Sequence, residues 1–200
     1  DGKPGINTPA AIAAAQQYVR LLRSYGDPGV TDNGPMEVQT HFLQGRTAMI
    51  LDASSWAGIF SDPQKSKVVG KWEGSLAPSG PAGVTYELWA WSLALSPFSE
   101  KKTAAWLFIQ WATSKEIQRA LQYRGFPMPR KSLWMDPEWK SKVMPGHYEA
   151  SVTQLQKASV IGHPPFVASA EVTDIVGIAL NNALAGKDLK AEMDAAAKKM

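Results

Sequence analysis

Apolar positions recur at two spacings along this chain, and the spacing assigns the elements. Thr8-Pro9 reads as a helix cap followed by proline at the first helical position. Ile12, Ala15, Val19 and Leu22 then recur at helical intervals, and Gly26 closes the helix. Asp27 to Gly34 is rich in turn formers. A short helix is predicted from Pro35 to Gln44, with Val38 and Phe42 inward and Gly45 as its stop. The pattern then changes. Thr47-Ala48-Met49-Ile50-Leu51 is short, apolar and unbroken, which predicts a buried strand. Asp52 to Ser55 is a polar exit from it, leading through Trp56 into a helical turn that ends at Phe60. After the solvated stretch Ser61–Lys71, Trp72–Leu76 and Tyr86–Leu95 read as further strands, separated by a turn rich in proline and glycine over residues 78–83.

The second half is predominantly helical. Ser99 is predicted to cap a helix with Ala104, Leu107, Phe108 and Trp111 as its inner face. Ser114 starts another, with Ile117 and Leu121 inward and Gly125 as its end. Two prolines hold Phe126-Pro127-Met128-Pro129-Arg130 extended. Asp136-Pro137 caps a short helix carrying Trp139, and Tyr148–Ala158 reads as helical. His163-Pro164-Pro165 is a loop. Ser169 caps a long helix with Val172, Ile175, Val176, Ala179 and Leu180 inward, closing at Gly186. Asp188 caps the last, with Leu189, Met193 and Ala197 on one face. No internal repeat and no repeated βαβ unit is visible. The fold class is α/β, mixed and helix-rich.

Composition narrows the chemistry. The 200 residues, 44% of them hydrophobic, suffice for one substantial core or two small lobes. The 21 basic and 18 acidic residues are scattered, giving a net charge of +3 without the concentrated stripe of a nucleic-acid binder. The absence of cysteine excludes disulfides and Cys-based metal sites. No apolar run approaches the roughly 18 residues needed to span a bilayer. The chain opens Asp1-Gly2-Lys3-Pro4, so a signal peptide, if the parent protein is exported, is expected upstream.

Catalytic constellations are weak. The three histidines, His41, His147 and His163, show no metal-ligand spacing, and nucleophile elbow, P-loop and dinucleotide fingerprint are missing. The expectation is no catalytic residue, no metal and no cofactor. Asp52 and Glu87, each near a tryptophan, are the best candidates for the facing carboxylates of a glycosidase. Sugar binding without chemistry needs an aromatic face for the ring and polar side chains for its hydroxyls. Three segments combine these: Asp52-Ala53-Ser54-Ser55-Trp56, Glu87-Leu88-Trp89-Ala90-Trp91 and Phe126–Arg130. Trp89 and Trp91 share one side of a strand, facing either a core or a ligand. Trp56 either stacks on a ligand or staples a helix, and Arg130 is either a ligand contact or a surface cation. Trp106 and Trp111, on an amphipathic helix, read as core or lobe-packing residues, and Trp134 and Trp139 as structural.

Phe42-Leu43-Gln44-Gly45-Arg46-Thr47-Ala48-Met49 resembles the helix–glycine–strand signature of bacterial extracellular solute-binding proteins, the class that includes maltose-binding protein. The order that follows agrees: Ser96-Pro97-Phe98-Ser99-Glu100-Lys101-Lys102, the helix from Ala104 to Lys115, and Asn181-Asn182-Ala183-Leu184-Ala185-Gly186-Lys187. Within the class, Leu88-Trp89-Ala90-Trp91-Ser92-Leu93-Ala94-Leu95 and Asp32-Asn33-Gly34 look closest to binding proteins for sorbitol, mannitol and related polyols. After Tyr148 the chain departs from that polyol pattern.

The resemblance implies a partial periplasmic-binding-protein-like type II fold, mainly the carboxy-terminal lobe, in a protein whose lobes close on a ligand by a hinge. It places residues 1–88 and 126–200 in the carboxy-terminal lobe and 89–125 in the amino-terminal lobe. It implies a ligand site of Asp52, Ser54, Trp56, Trp89, Trp91 and Arg130. Trp56 is then the stacking aromatic, with 89–91 and Arg130 where the chain passes the hinge. The implied partners are a sugar or polyol and the membrane permease of an ABC importer, with no nucleic acid and with dimerisation through surface left by truncation. The implied location is periplasmic or extracellular. The alternative reading is a fragment of a carbohydrate-active enzyme, or a carbohydrate-binding module attached to one.

Overall fold

Wherever a capping side chain precedes a periodic apolar stripe, a helix forms. The computed structural model describes residues 4–81, 83–88, 90–158 and 168–200. Trp89, Ala82 and the loop at His163-Pro164-Pro165 therefore lie outside the described residues. Among the described residues the helices are α1 (Pro9–Tyr25), α2 (Pro35–Leu43), α3 (Ala57–Phe60, entered through a 3-10 turn at Ser54–Trp56), α4 (Lys102–Ala112), α5 (Lys115–Tyr123), α6 (Lys131–Trp134), α7 (Pro137–Lys140), α8 (Pro145–Lys157), α9 (Ser169–Leu184) and α10 (Leu189–Ala197). Thr8, Ser114, Asp136 and Asp188 each accept a backbone N–H in the first turn of the helix they precede. Ser99 and Ser169 are placed differently. Lys101 caps α4, with Ser99 Oγ accepting its N–H at 3.2 Å, and Ser169 is the first residue of α9 rather than its cap. Helix α8 starts at Pro145, ahead of the predicted Tyr148.

The chain divides into two units, Asp1–Val38 with His163–Met200, and Gln39–Gly162. The first packs α1, α9 and α10. Its core is Ala15, Ala179, Met193 and Ala196, with Ile6, Ile12, Ile175, Leu180 and Leu189 against it. Alanine at three of four central positions lets the helix backbones approach closely. Ala196 is buried where Ala197 was expected. The guanidinium of Arg23 on α1 donates to the carbonyls of Ala183 (2.9 Å) and Leu184 (3.2 Å) in the last turn of α9, where a cation also meets the negative end of the helix.

The second unit is held by aromatic rings and close backbone contacts. Phe42, Phe60, Trp72 and His147 form an edge-to-face series with centroids 4.9, 5.7 and 5.7 Å apart. Trp134, Trp139 and Tyr148 form a second cluster, at 5.0 and 5.5 Å. Adjacent residues of α8, His147 and Tyr148, serve the two clusters, so Trp134 and Trp139 are structural. Helix α5 buries Gln118 and Gln122, while Ile117 and Leu121, predicted inward, are only half-buried. Gln122 donates from Nε2 to the Leu133 carbonyl at 2.9 Å, while its buried Oε1 has no hydrogen-bond partner among the described residues. The Trp134 indole donates to the Met128 carbonyl at 2.7 Å, pinning the extended segment 126–130. Gly125 ends α5 at φ +89, and a Cβ there would lie 2.2 Å from Gly58 Cα. Only glycine suits both the conformation and the approach.

The predicted strands need correction. Residues 47–51, 72–76 and 86–95 form no strand among the described residues; an isolated antiparallel bridge joins Gly80 and Gly83. A strand exists only when a neighbour takes up its backbone donors and acceptors. Met49 and Leu51 are 86% and 81% exposed, so the apolar run 47–51 is not buried here. Trp72, by contrast, is buried by rings rather than by a sheet. The predicted inner face of α4 is also overturned. Ala104, Leu107, Phe108 and Trp111 are exposed, and so is Trp106. The stripe is apolar as read, but no described element covers it.

Candidate functional site

The site begins at the end of α2. Gly45 has φ +70, the Gly45 N–H donates to the Phe42 carbonyl, and the Arg46 N–H reaches back to His41. This pair of bonds stops the helix sharply and releases an extended run that delivers Asp52. Asp52 is exposed but fixed at both oxygens. Oδ2 accepts from Gln39 Nε2 at 2.9 Å, and Oδ1 accepts from the Ala53 backbone N–H at 2.6 Å. Ser54 to Trp56 then forms the 3-10 turn, with the Trp56 N–H donating to the Ala53 carbonyl at 3.3 Å. Ser54 is exposed and Trp56 is half-buried. Phe60, one turn further on, is buried between Phe42 and Trp72. The turn is thus anchored by Gln39 on one side and by the aromatic series on the other.

Asp52, Ser54 and Trp56 therefore sit together on one supported turn. It presents a carboxylate acceptor, a hydroxyl and an indole with exposed surface, the groups that meet hydroxyls and an apolar face. Among the other predicted site residues, the structure describes Arg130 and Trp91. Arg130 donates from Nη2 to the Thr113 carbonyl at 2.9 Å and from Nε to Gln118 Oε1 at 3.3 Å. Its guanidinium thus serves the end of α4. Trp91 is 87% exposed in an extended segment, which rules out a core position for it in this structure. Trp89 lies outside the described residues, and Glu87 is exposed.

Sequence reasoning missed Gln39. It is 2% exposed on α2, where Val38 and Phe42 were expected to point inward and are half-buried. Its Oε1 has no hydrogen-bond partner among the described residues. A stranded buried acceptor costs about 1–3 kcal/mol, so Gln39 is not there for packing economy. The only signal in the sequence was a glutamine at helical spacing between apolar neighbours.

A second residue that sequence reasoning missed is the carboxylate Glu73. Its Oε1 accepts the N–H groups of Gly74 and His147, both at 3.0 Å, capping α8 from a distant segment. The two segments touch closely, since a Cβ on Gly74 would lie 2.7 Å from His147 Cα. Burial pushes the His147 imidazole below its ordinary value, against a smaller upward pull from Glu73. On the surface nearby, Arg119 donates to Asp136 (3.1 Å) and Glu138 (2.7 Å), and the Arg119 bond is the main cause holding the Asp136 carboxyl below its usual range. Among the described residues no group of three or more potential ligands is placed to hold a metal ion, and no helix is long and apolar enough to cross a membrane.

With this geometry in place, comparison with known proteins identifies the class. The family model for bacterial extracellular solute-binding proteins matches residues 1–119, and the chain belongs to that family. The mannitol-binding protein of Pseudomonas aeruginosa is 36% identical over 100 residues, 49% of this chain and 23% of that protein. The erythritol/L-threitol-binding protein of Mycolicibacterium smegmatis is 29% identical over 196 residues, 96% of this chain and 41% of that protein. Among solved structures, an ABC transporter solute-binding protein from Agrobacterium radiobacter K84 in complex with ribitol superposes with a TM-score of 0.88 at 30% identity, covering 100% of this chain and 51% of that one. A maltose-bound MalE3 of T. maritima gives 0.86 at 25% identity, covering 100% and 51%. The chain therefore has the periplasmic-binding-protein-like fold of these neighbours, and it spans about half their length.

Proposed function

We propose that this chain is part of a binding protein that captures a sugar alcohol or sugar outside the cytoplasm and delivers it to an ABC-type importer. The observation that carries the reading is the Asp52–Trp56 turn. A fixed carboxylate at Asp52 and a half-buried indole at Trp56 belong to one short turn, in a chain that superposes on a ribitol-bound protein. Ser54 completes the turn as a hydroxyl contact. Trp91, Trp89 and Arg130 join the site from the segments that pass between lobes. Asp52 and Glu87 act as acceptors and take no part in proton transfer, so the protein is a binder and not an enzyme. The relatives named for what they bind are likewise binding proteins.

The lobe assignment follows the same reading. Residues 89–125 cross to the amino-terminal lobe, and the exposed apolar face of α4 supports this because it lacks cover among the described residues. The remaining length of a parent comparable to the relatives would supply that cover and the other wall of the cleft. The isolated 200-residue chain then binds polyols weakly or not at all.

The test uses the full-length parent. Ribitol, D-mannitol, erythritol and maltose are screened by thermal shift, where a ligand at 100 times its Kd adds about 2.7 kcal/mol of stability. Trp56→Ala should weaken binding by more than about 1 kcal/mol. Unchanged affinity with a stability loss of about 3 kcal/mol would instead make Trp56 a packing residue. Incubation with glycosides should give no products; turnover abolished by Asp52→Asn would overturn the binder reading.

A further inference from the structure

Gln39 and Asp52 form a unit whose geometry says more than that a carboxylate is present. The direction of the Gln39 amide is not a free choice. An ionised carboxylate only accepts, so the NH2 end must face Asp52, and Oε1 is left without a partner among the described residues. A methionine would fill the same volume and strand no polar atom. What the amide provides is direction. With Oδ2 held by Gln39 and Oδ1 by the Ala53 N–H, the carboxylate cannot turn about its Cβ–Cγ bond without losing a bond. A carboxylate has about four acceptor positions, and these two bonds leave about two more on an exposed residue. Two neighbouring hydroxyls of an open-chain polyol present a matching pair of O–H donors.

We infer that Gln39 is a positioning residue that fixes the Asp52 carboxylate so that its two oxygens accept from a pair of adjacent ligand hydroxyls. The inference rests on the polyol-binding reading. It assigns this turn a ligand feature, the vicinal diol, and explains why a half-satisfied amide occupies a buried place on α2. The role is indirect, since Gln39 acts through Asp52.

The experiment measures ribitol and 2-deoxyribitol binding by calorimetry, with melting temperatures in parallel, on the full-length parent and its Gln39→Met, Asp52→Asn and doubly substituted variants. Gln39→Met should bind ribitol about 10-fold more weakly, the order of one lost hydrogen bond. It should lose most of the preference for ribitol over 2-deoxyribitol while melting no lower than the wild type. The double variant should bind no more weakly than Asp52→Asn alone, because the two residues act as one unit. If Gln39→Met does not fold, Gln39→Asn withdraws the amide by one methylene and serves the same comparison. Wild-type affinity and preference in the Gln39 variant, or additive losses in the double variant, would overturn the role of Gln39 and leave the binder reading intact. Failure of the wild-type parent to bind ribitol, D-mannitol, erythritol or maltose would overturn that reading and this inference together.

Discussion

Helices α9 and α4 carry the same kind of message and meet different fates. Both are amphipathic, and both end in a short connection to another helix. On α9 the apolar stripe is buried against α1 and α10, with Ala179 and Ala183 almost fully enclosed. On α4 the stripe of Leu107, Phe108 and Trp111 is exposed. The difference lies outside the helices. Periodicity names the face that avoids water, but only the partner decides whether that face is covered. In α9 the partners lie near either end of this chain. For α4, the described residues supply none.

The largest effect that sharpens this contrast is in the core. Met193→Ala should lower the unfolding free energy of the isolated chain by about 2–5 kcal/mol in urea denaturation, while Leu107→Ala should change it by no more than about 0.5 kcal/mol. In the full-length parent the Leu107 cost should rise toward the Met193 value; equal, small costs in both contexts would break the contrast. Next in size is the cap that Glu73 provides. Glu73→Ala should cost about 1–2 kcal/mol, and amide hydrogen exchange should show lost protection in the first turn of α8 alone. Asp188→Ala removes a local cap whose Oδ1 accepts from Ala191 at 2.7 Å, and should cost about 1 kcal/mol. The gentlest perturbation is pH. The folded His147 imidazole titrates below its ordinary value of 6.5, so the unfolded chain takes up the proton first. Stability should be level above about pH 7.5 and fall as the pH drops through 6.5 toward the folded pKa. His147→Gln should flatten that slope; an unchanged slope would show that another group sets it.

Much of the helical layout was legible because its signals are local. Thr8, Ser114, Asp136 and Asp188 cap as their sequence neighbours require, and Gly45, Gly125 and Gly186 stop helices where the apolar period ends. The strands were not legible in the same sense. The run 47–51 has strand composition, but a strand is a relation between two segments, and composition records one. The site was half legible. Asp52, Ser54 and Trp56 are contiguous, so a single stretch of sequence displays them together. Gln39 reaches Asp52 across 13 positions through a helix stop, and its buried amide departs from the apolar rule that guided the reading of α2. Arg130 was ambiguous between ligand contact and surface cation because its partners, Thr113 and Gln118, lie 17 and 12 positions away in sequence.

The cap on α8 also bears on the order in which the chain assembles. Most capped helices here borrow an oxygen from the residue just before them, so the cap can form as soon as the helix does. Met144, which precedes α8, offers no side-chain bond, and the oxygen comes instead from Glu73, 74 positions upstream of His147. Closing so long a loop carries an entropy cost that local capping avoids, and contacts of this separation slow folding. The first turn of α8 should therefore stay frayed after α5 and α10 have formed. In pulsed hydrogen exchange during refolding, the His147 amide should become protected later than the Ala191 amide. That single proton would then time the moment at which the distant halves of the second unit meet.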